Sequence, residues 1–292
     1  MKILLIGKNG QVGHELQRTL LPLGELVLLG RDALDLSDSA ALKQVLESQA
    51  ADVIVNASAY TAVDRAEADE AGAMAVNAAA VSAMAAHARS HDALLVHYST
   101  DYVFDGDKQA PYIEDDVTAP QSAYGRSKRA GEEAILASAC KALVFRTSWV
   151  FSAHGGNFIK TMLRLAGERD SLNVVADQFG APTSAELIAD VTALAIAAYR
   201  RGALADGIYH LTAAGETSWH GLASYAIERA QARGLALKVA AAQIKPIPTE
   251  AYPLPARRPR NSRLDTSKLS SALGLQMPAW QVYVDRLIDQ LS

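Results

Sequence analysis

Five short apolar runs constrain this chain most: KILLIG (2–7), ELVLLG (25–30), DVIVNAS (52–58), ALLVHYS (93–99) and ALVFRTS (142–148). Each is too short for a helix and is bounded by Gly, Asp or Ser. Near-continuous apolar strands of this kind are buried on both faces. Between them lie Ala- and Leu-rich segments with helical spacing, at roughly 11–22, 38–49, 68–91 and 122–139. Strands alternating with helices predict an α/β fold, a doubly wound parallel sheet of Rossmann type with right-handed crossovers.

The second half changes character. Residues 156–170 read as a helix, and the stretch beginning LNVVADQFGAPT reads as a strand, a loop and a long helix, an order that recurs from GIYHLTAAG onward. Seven of the ten prolines follow residue 180. The predicted division is a dinucleotide-binding domain over 1–150, with return segments from about 172–190 and 207–225, and a smaller, interleaved and mainly substrate-binding part over 151–292.

Half of the 292 residues are hydrophobic and the net charge is −4. No polybasic run stands out, so neither nucleic acid nor an anionic membrane is expected as a partner. No apolar stretch reads as long and uncharged enough to span a bilayer. The N-terminus lacks the features of a signal peptide, and the single Cys140 has no internal disulfide partner. Both suit a reducing cytoplasm.

KILLIGKNGQVGHEL places Gly7, Gly10 and Gly13 between the first strand and the first helix. Gly7 allows the tight exit from the strand, Gly10 lets the backbone approach a pyrophosphate, and Gly13 permits close helix–strand packing. The helix N-terminus beyond favours phosphate oxygens. Arg31 follows the second strand, where an acid would otherwise bind the adenosine ribose. A guanidinium pairs with a 2′-phosphate, which leans toward NADPH. Asp32 beside it could serve a ribose, which leaves NADH open. Asp35 and Leu36 could line the adenine pocket or serve as ordinary loop packing.

Tyr124 and Lys128 stand four apart in a helical stretch, so phenol and ammonium share one face. A nearby cation lowers a tyrosine's pKa, and such a tyrosine exchanges protons with a substrate oxygen. Thr100, at the carboxyl end of the fourth strand, is placed to hydrogen-bond the same oxygen. The Pro- and acid-rich residues 104–121 are expected to form a mobile flap over the site.

The segments GKNGQVGHELQ, NASAYTAVDRAE, HYSTDYVFDG, YGRSKRAGE, FRTSWVF, DQFGAPT and ARRPRNSRL, in this order, resemble the extended short-chain dehydrogenase/reductase superfamily. Within it they are most similar to the dTDP-4-dehydrorhamnose reductases, over nearly the whole chain. The resemblance implies hydride transfer from NADPH or NADH to C4 of a dTDP-linked 4-keto-6-deoxysugar. It implies Thr100, Tyr124 and Lys128 as the catalytic set, with Tyr124 as general acid. It places Gly10, Gln11 and Val12 at the pyrophosphate, and Ala59, Tyr60, Thr61 and Tyr98 along the cofactor cleft. It puts Thr100, Asp101 and Trp149 at the sugar, although Trp149 could also be plain core. Arg257 and Arg258 would clamp the substrate diphosphate or face solvent. Glu15, Glu186 and Asp289 are weak candidates for a Mg²⁺ at a homodimer interface, with Gln290 standing where another acid would be wanted. The seven histidines, His97, His154 and His210 among them, show no metal-ligand spacing and read as structural.

Two alternatives share this scaffold. One is another nucleotide-sugar epimerase or epimerase/reductase, for which no added acid–base residue is evident. The other is a non-catalytic regulatory relative, against which an intact Thr100, Tyr124 and Lys128 argues.

Overall fold

The computed structural model describes residues 1–291. Five apolar runs form the strands β1 (Lys2–Ile6), β2 (Glu25–Leu29), β3 (Val53–Asn56), β4 (Leu94–Thr100) and β5 (Ala142–Thr147). A sixth strand, Gly207–His210, joins the far edge, giving the order Gly207–His210, β5, β4, β3, β1, β2. Every pairing in this sheet is parallel. All residues of β3, β4 and β5 are buried, as strands covered on both faces require. The edge strand β2 is less buried throughout.

A common strand direction puts every carboxyl end on one side of the sheet. Gly7, Arg31, Ala59, Thr100 and Trp149 all lie just beyond or at such ends, so residues up to 142 positions apart share one rim. The crossing helices begin where polar side chains stop the strands. Asp38 caps Ser39–Gln49 by accepting from Ala40 and Ala41 N–H, and Ser122 caps Ala123–Ser138 by accepting from Gly125 N–H.

The helical run Glu70–Ser90 is long and apolar enough to cross a membrane by length and composition alone, which the sequence reading did not recognise. Here it is a core element, packed against Ala123–Ser138 and Ser39–Gln49. Its middle, Ala75–Ala79, is a π turn. That turn buries Asn77, whose amide bonds the backbone of Tyr60 and the hydroxyl of Ser127. The loop after β3 is thereby tied to the helix that carries Tyr124.

The second half contributes three two-stranded ladders not anticipated from sequence. Val150–Phe151 pairs with Thr183–Ser184, Leu172–Val175 with Ile244–Ile247, and Phe179–Gly180 with Thr217–Ser218. Helix Ala185–Arg200 returns to pack on Gln11–Leu20. One continuous core runs from Ile3 and Leu5 through Phe145 and Ile188 to Trp280 and Leu287.

Candidate functional site

The turn after β1 is a backbone cradle. Gly7 has φ +95°, and a Cβ there would lie 2.7 Å from the carbonyl carbon of Ala57. A Cβ on Gly13 would lie 2.0 Å from Gly7 O, so helix and strand approach as closely as glycine allows. Gly10 is the N-cap of Gln11–Leu20 and offers no side chain to its free N–H groups. A ligand oxygen can take that place, and an anion suits the helix end. This cradle fits a dinucleotide pyrophosphate. Gln11 and Val12, in the first turn, are only partly buried.

At the end of β2, Arg31 is exposed, as a residue meeting a phosphate at the rim would be. Sequence reasoning missed its neighbour Lys8, which lies 3.6 Å from Asp32. Lys8 thus reaches the end of β2, paired there with the Asp32 carboxylate, and the GKNG motif itself carried the signal. Leu36 does not line an open pocket: it packs into the core with Leu34 and Leu42. Asp35 accepts from the backbone and hydroxyl of Ser37, which hold its carboxyl below the usual range.

Thr100 Oγ1 donates to Asp101 Oδ1 at 2.9 Å and accepts from Tyr102 N–H at 3.2 Å. Its proton is directed to Asp101, and the hydroxyl lies close enough to the Tyr124 phenol to pull that group's pKa down against the larger effect of burial. Asp101 is 3% exposed, and burial raises its carboxyl to about 6 against bonds from Ser262 and Thr100. Gly125 explains how the tyrosine helix comes so close: a Cβ there would lie 2.3 Å from Tyr102 O. The rings of Tyr102 and Tyr124 meet edge to face at 5.5 Å.

The expected lowering of the Tyr124 pKa is not what this geometry gives. Burial and the charge of Asp101 push the phenol above its ordinary range. Lys128 is turned elsewhere, donating to Tyr98 O at 2.7 Å and lying 3.1 Å from His97 Nε2. Burial lowers the Lys128 ammonium to about 8. Tyr98 also differs from expectation. Its hydroxyl bonds Thr192 at 2.8 Å and its ring is core, so it meets the site through its carbonyl. Strand alternation is the reason: neighbours on β4 face opposite sides of the sheet. Ala59 and Tyr60 are partly buried and Thr61 is exposed on the loop after β3.

Beyond Tyr102 and Ser262 opens a cavity of about 1040 Å³, lined mostly by the second half of the chain, with Tyr102, Asp107 and Trp149 from the first. Trp149 lines it, in a tight turn with φ +50° rather than in a strand. Its ring stacks on Trp219 at 3.6 Å, a partner that no local pattern announced. Arg257 and Arg258 both reach this cavity. Arg257 is half exposed and paired with Asp107 at 3.0 Å. Arg258 is largely buried and paired with Asp64 at 2.5 Å, and its Nη1 has no hydrogen-bond partner. Residues 104–121 wall this side. They are bonded to the tail through Tyr112 N to Arg263 O, Asp265 N to Tyr112 O and Asn261 N to Gly106 O, so the wall is stitched down rather than a free flap.

The weak metal candidates do not converge. Glu186 accepts from Arg286 at 2.8 Å and from Gln290 at 3.2 Å, and Asp289 pairs with Arg233 at 2.9 Å. A carboxylate already held by an arginine is a poor seat for Mg²⁺. His87 and His91, by contrast, are four apart with their ligand atoms within 4.8 Å of Glu47 and of each other, a spacing the sequence reading overlooked.

A family model described as the RmlD substrate binding domain matches residues 1–292. The chain is 51% identical to a dTDP-4-dehydrorhamnose reductase of Burkholderia thailandensis, covering 100% of this chain and 99% of that one. It is 48% identical to the Escherichia coli protein of the same name, covering 100% and 98%. Among solved structures, it is similar to a dTDP-4-dehydrorhamnose reductase of Clostridium acetobutylicum with TM-score 0.91 and 35% identity, covering 100% and 99%. It is likewise similar to one of Bacillus anthracis, in complex with NADP, with TM-score 0.88 and 33% identity, covering 99% of each.

Proposed function

The chain belongs to the RmlD family of dTDP-4-dehydrorhamnose reductases, and from that premise we propose how its own residues reduce the C4 ketone of dTDP-4-dehydro-L-rhamnose to dTDP-L-rhamnose. The bound nicotinamide supplies the hydride to C4. The second hydrogen is a proton delivered to O4, and Tyr124 is its donor. Its raised pKa keeps the phenol protonated at neutral pH, the state a general acid needs. Thr100 holds the phenol from one side, and can turn its own proton to the ketone when Asp101 releases it. Lys128 lies one turn along the same helix and, when charged, stabilises the phenolate left behind.

NADPH is the preferred donor. Arg31 and Lys8 together suit a 2′-phosphate better than ribose hydroxyls alone, and the relative solved with NADP supports the choice. Gly10 and the amides after it bind the pyrophosphate. The Trp149–Trp219 stack gives a flat apolar surface within the sugar-nucleotide cavity. Arg258, and to a lesser degree Arg257, bind the substrate diphosphate. The lone buried Cys140 fits a cytoplasmic protein.

The observation that supports this reading most is that Thr100 and Tyr124 both meet Tyr102, a residue lining the cavity that Arg257 and Arg258 reach. An epimerase or a regulatory role is not favoured, because full-length relatives at 42–51% identity carry the reductase name. The test is turnover of dTDP-4-dehydro-L-rhamnose with NADPH and with NADH. The expected result is loss of nicotinamide absorbance matched one to one by dTDP-L-rhamnose. Cofactor oxidation without that product, or none at all, would reject the assignment.

A further inference from the structure

His97 is fully buried in β4, with each ring nitrogen against a polar neighbour. Nδ1 lies 3.2 Å from the amide nitrogen of Asn56, and Nε2 lies 3.1 Å from Lys128 Nζ. The orientation of Asn56 is set by a third group: its Oδ1 accepts from Ser58 N–H at 3.1 Å. An amide nitrogen is only a donor, so Nδ1 of His97 must accept, and the neutral ring carries its proton on Nε2. That N–H points at Lys128. An ammonium has three N–H groups and no lone pair, so it cannot accept. A free amine can take the Nε2 proton's bond while it donates to Tyr98 O at 2.7 Å.

The converse state is equally constrained. An ammonium at Lys128 needs a lone pair on Nε2. The ring proton must then sit on Nδ1, and Asn56 must turn Oδ1 toward it. That rotation takes from Ser58 N–H the acceptor it has here. We propose that Asn56 and His97 are positioning residues for Lys128: the lysine's charge, the His97 tautomer and the Asn56 amide orientation change together, and Ser58 N–H biases the set toward the uncharged lysine. Between the two states one proton enters from solvent. Nζ gains it, and the ring keeps a single proton, moved from Nε2 to Nδ1.

The surroundings leave this set poised. Burial and the neighbouring lysine hold His97 far below its ordinary range, so its ring stays neutral in both states. Lys128, at about 8, changes charge close to neutrality. Glu132, one turn further along the helix, favours the charged lysine, but its carboxylate is shared with Arg146 at 2.7 Å. Tyr124 and Asp101 are the other ionisable groups of this pocket, on the same helix and just after β4. The role in catalysis rests on the reductase reading: a charged Lys128, donating to both His97 Nε2 and Tyr98 O, supplies the fixed cation that the Tyr124 phenolate needs.

Long-range ¹H–¹⁵N NMR of histidine-labelled protein reads the tautomer directly and needs no turnover. His97 should be the Nε2–H form well above the lysine's value of about 8 and the Nδ1–H form well below it. A single tautomer throughout, or an imidazolium, would overturn the proposal. Asn56→Asp presents only acceptors and should pin Nδ1–H and the charged lysine. The alkaline limb of the kcat/KM profile should then rise by about one pH unit or more. An unmoved limb in the folded variant would also overturn it. A tautomer change in a protein without reductase activity would reject the function while leaving the coupling intact.

Discussion

At Asp101 the site carries a stability cost. Burial holds its carboxyl at about 6, above the ordinary 3.8. The folded state therefore binds this proton more tightly than the unfolded one, and stability falls as pH rises through that window. Two units correspond to a penalty on the order of 3 kcal/mol, fully present above about pH 6 and gone below about pH 4. Asp101→Asn should thus stabilise the protein at pH 8, by up to that amount, and lose the gain in acid. Urea unfolding at both pH values measures it, and a gain that persists in acid would contradict the assignment. Tyr124→Phe should cut turnover by about two to four powers of ten while cofactor binding stays nearly intact. Turnover and a cofactor-binding titration on the same variant decide that. Arg31→Asp should lower the NADPH over NADH ratio of kcat/KM by about tenfold or more, since a charge-assisted contact contributes about 1.5–3 kcal/mol. An unchanged ratio would rule Arg31 out as the reader of a 2′-phosphate.

Elements place residues that sequence can only nominate. The glycine cradle, the strand-end Thr100 and the Tyr124–Lys128 spacing were legible because each is local: a strand, a turn or one helical turn carries the whole signal. The direction of Leu36 was not legible, because it depends on how the loop after β2 folds back onto the core. The carbonyl role of Tyr98 could have been read from strand alternation, which also puts His97 on the side of Lys128. Trp219 had no local sign, because it meets Trp149 only through the ladder joining Phe179–Gly180 to Thr217–Ser218. The same elements rank the two arginines that sequence left equal. Arg257 is 55% exposed and already shared with Asp107, whereas Arg258 is 17% exposed with a buried, unbonded Nη1. Arg258→Ala should raise the KM for the sugar nucleotide about tenfold or more, and Arg257→Ala by less. The KM for NADPH should hardly move in either, because the cofactor phosphates are held at the glycine cradle instead. Steady-state kinetics of both variants test the order, and equal effects on the two ligands would remove these arginines from the substrate site.

Across the whole molecule, one buried ion pair joins the parts that must hold the site in register. Glu132 on the tyrosine helix accepts two bonds from Arg146 on β5, and both side chains are 3% exposed. Arg146 also donates to Glu114 O and lies 4.9 Å over the ring of Phe104, which ties it to the 104–121 wall. Glu114 in turn accepts from the backbone of His210 on the sixth strand. Helix, sheet and wall therefore share one charged centre, out of water. Removing one partner leaves the other charge buried and alone, which costs about 3–5 kcal/mol. Replacing both by apolar residues of similar size avoids that charge and is often far milder. Glu132→Leu alone should destabilise the protein by roughly that amount, and the Glu132→Leu, Arg146→Met double variant should recover much of the loss. The double variant should nonetheless keep a raised KM for the sugar nucleotide, because the bond from Arg146 to the wall is gone. Denaturant unfolding of the single and double variants, with KM for sugar and cofactor measured alongside, separates the two effects. A double variant no more stable than the single one would mean that this centre is held by packing rather than by charge.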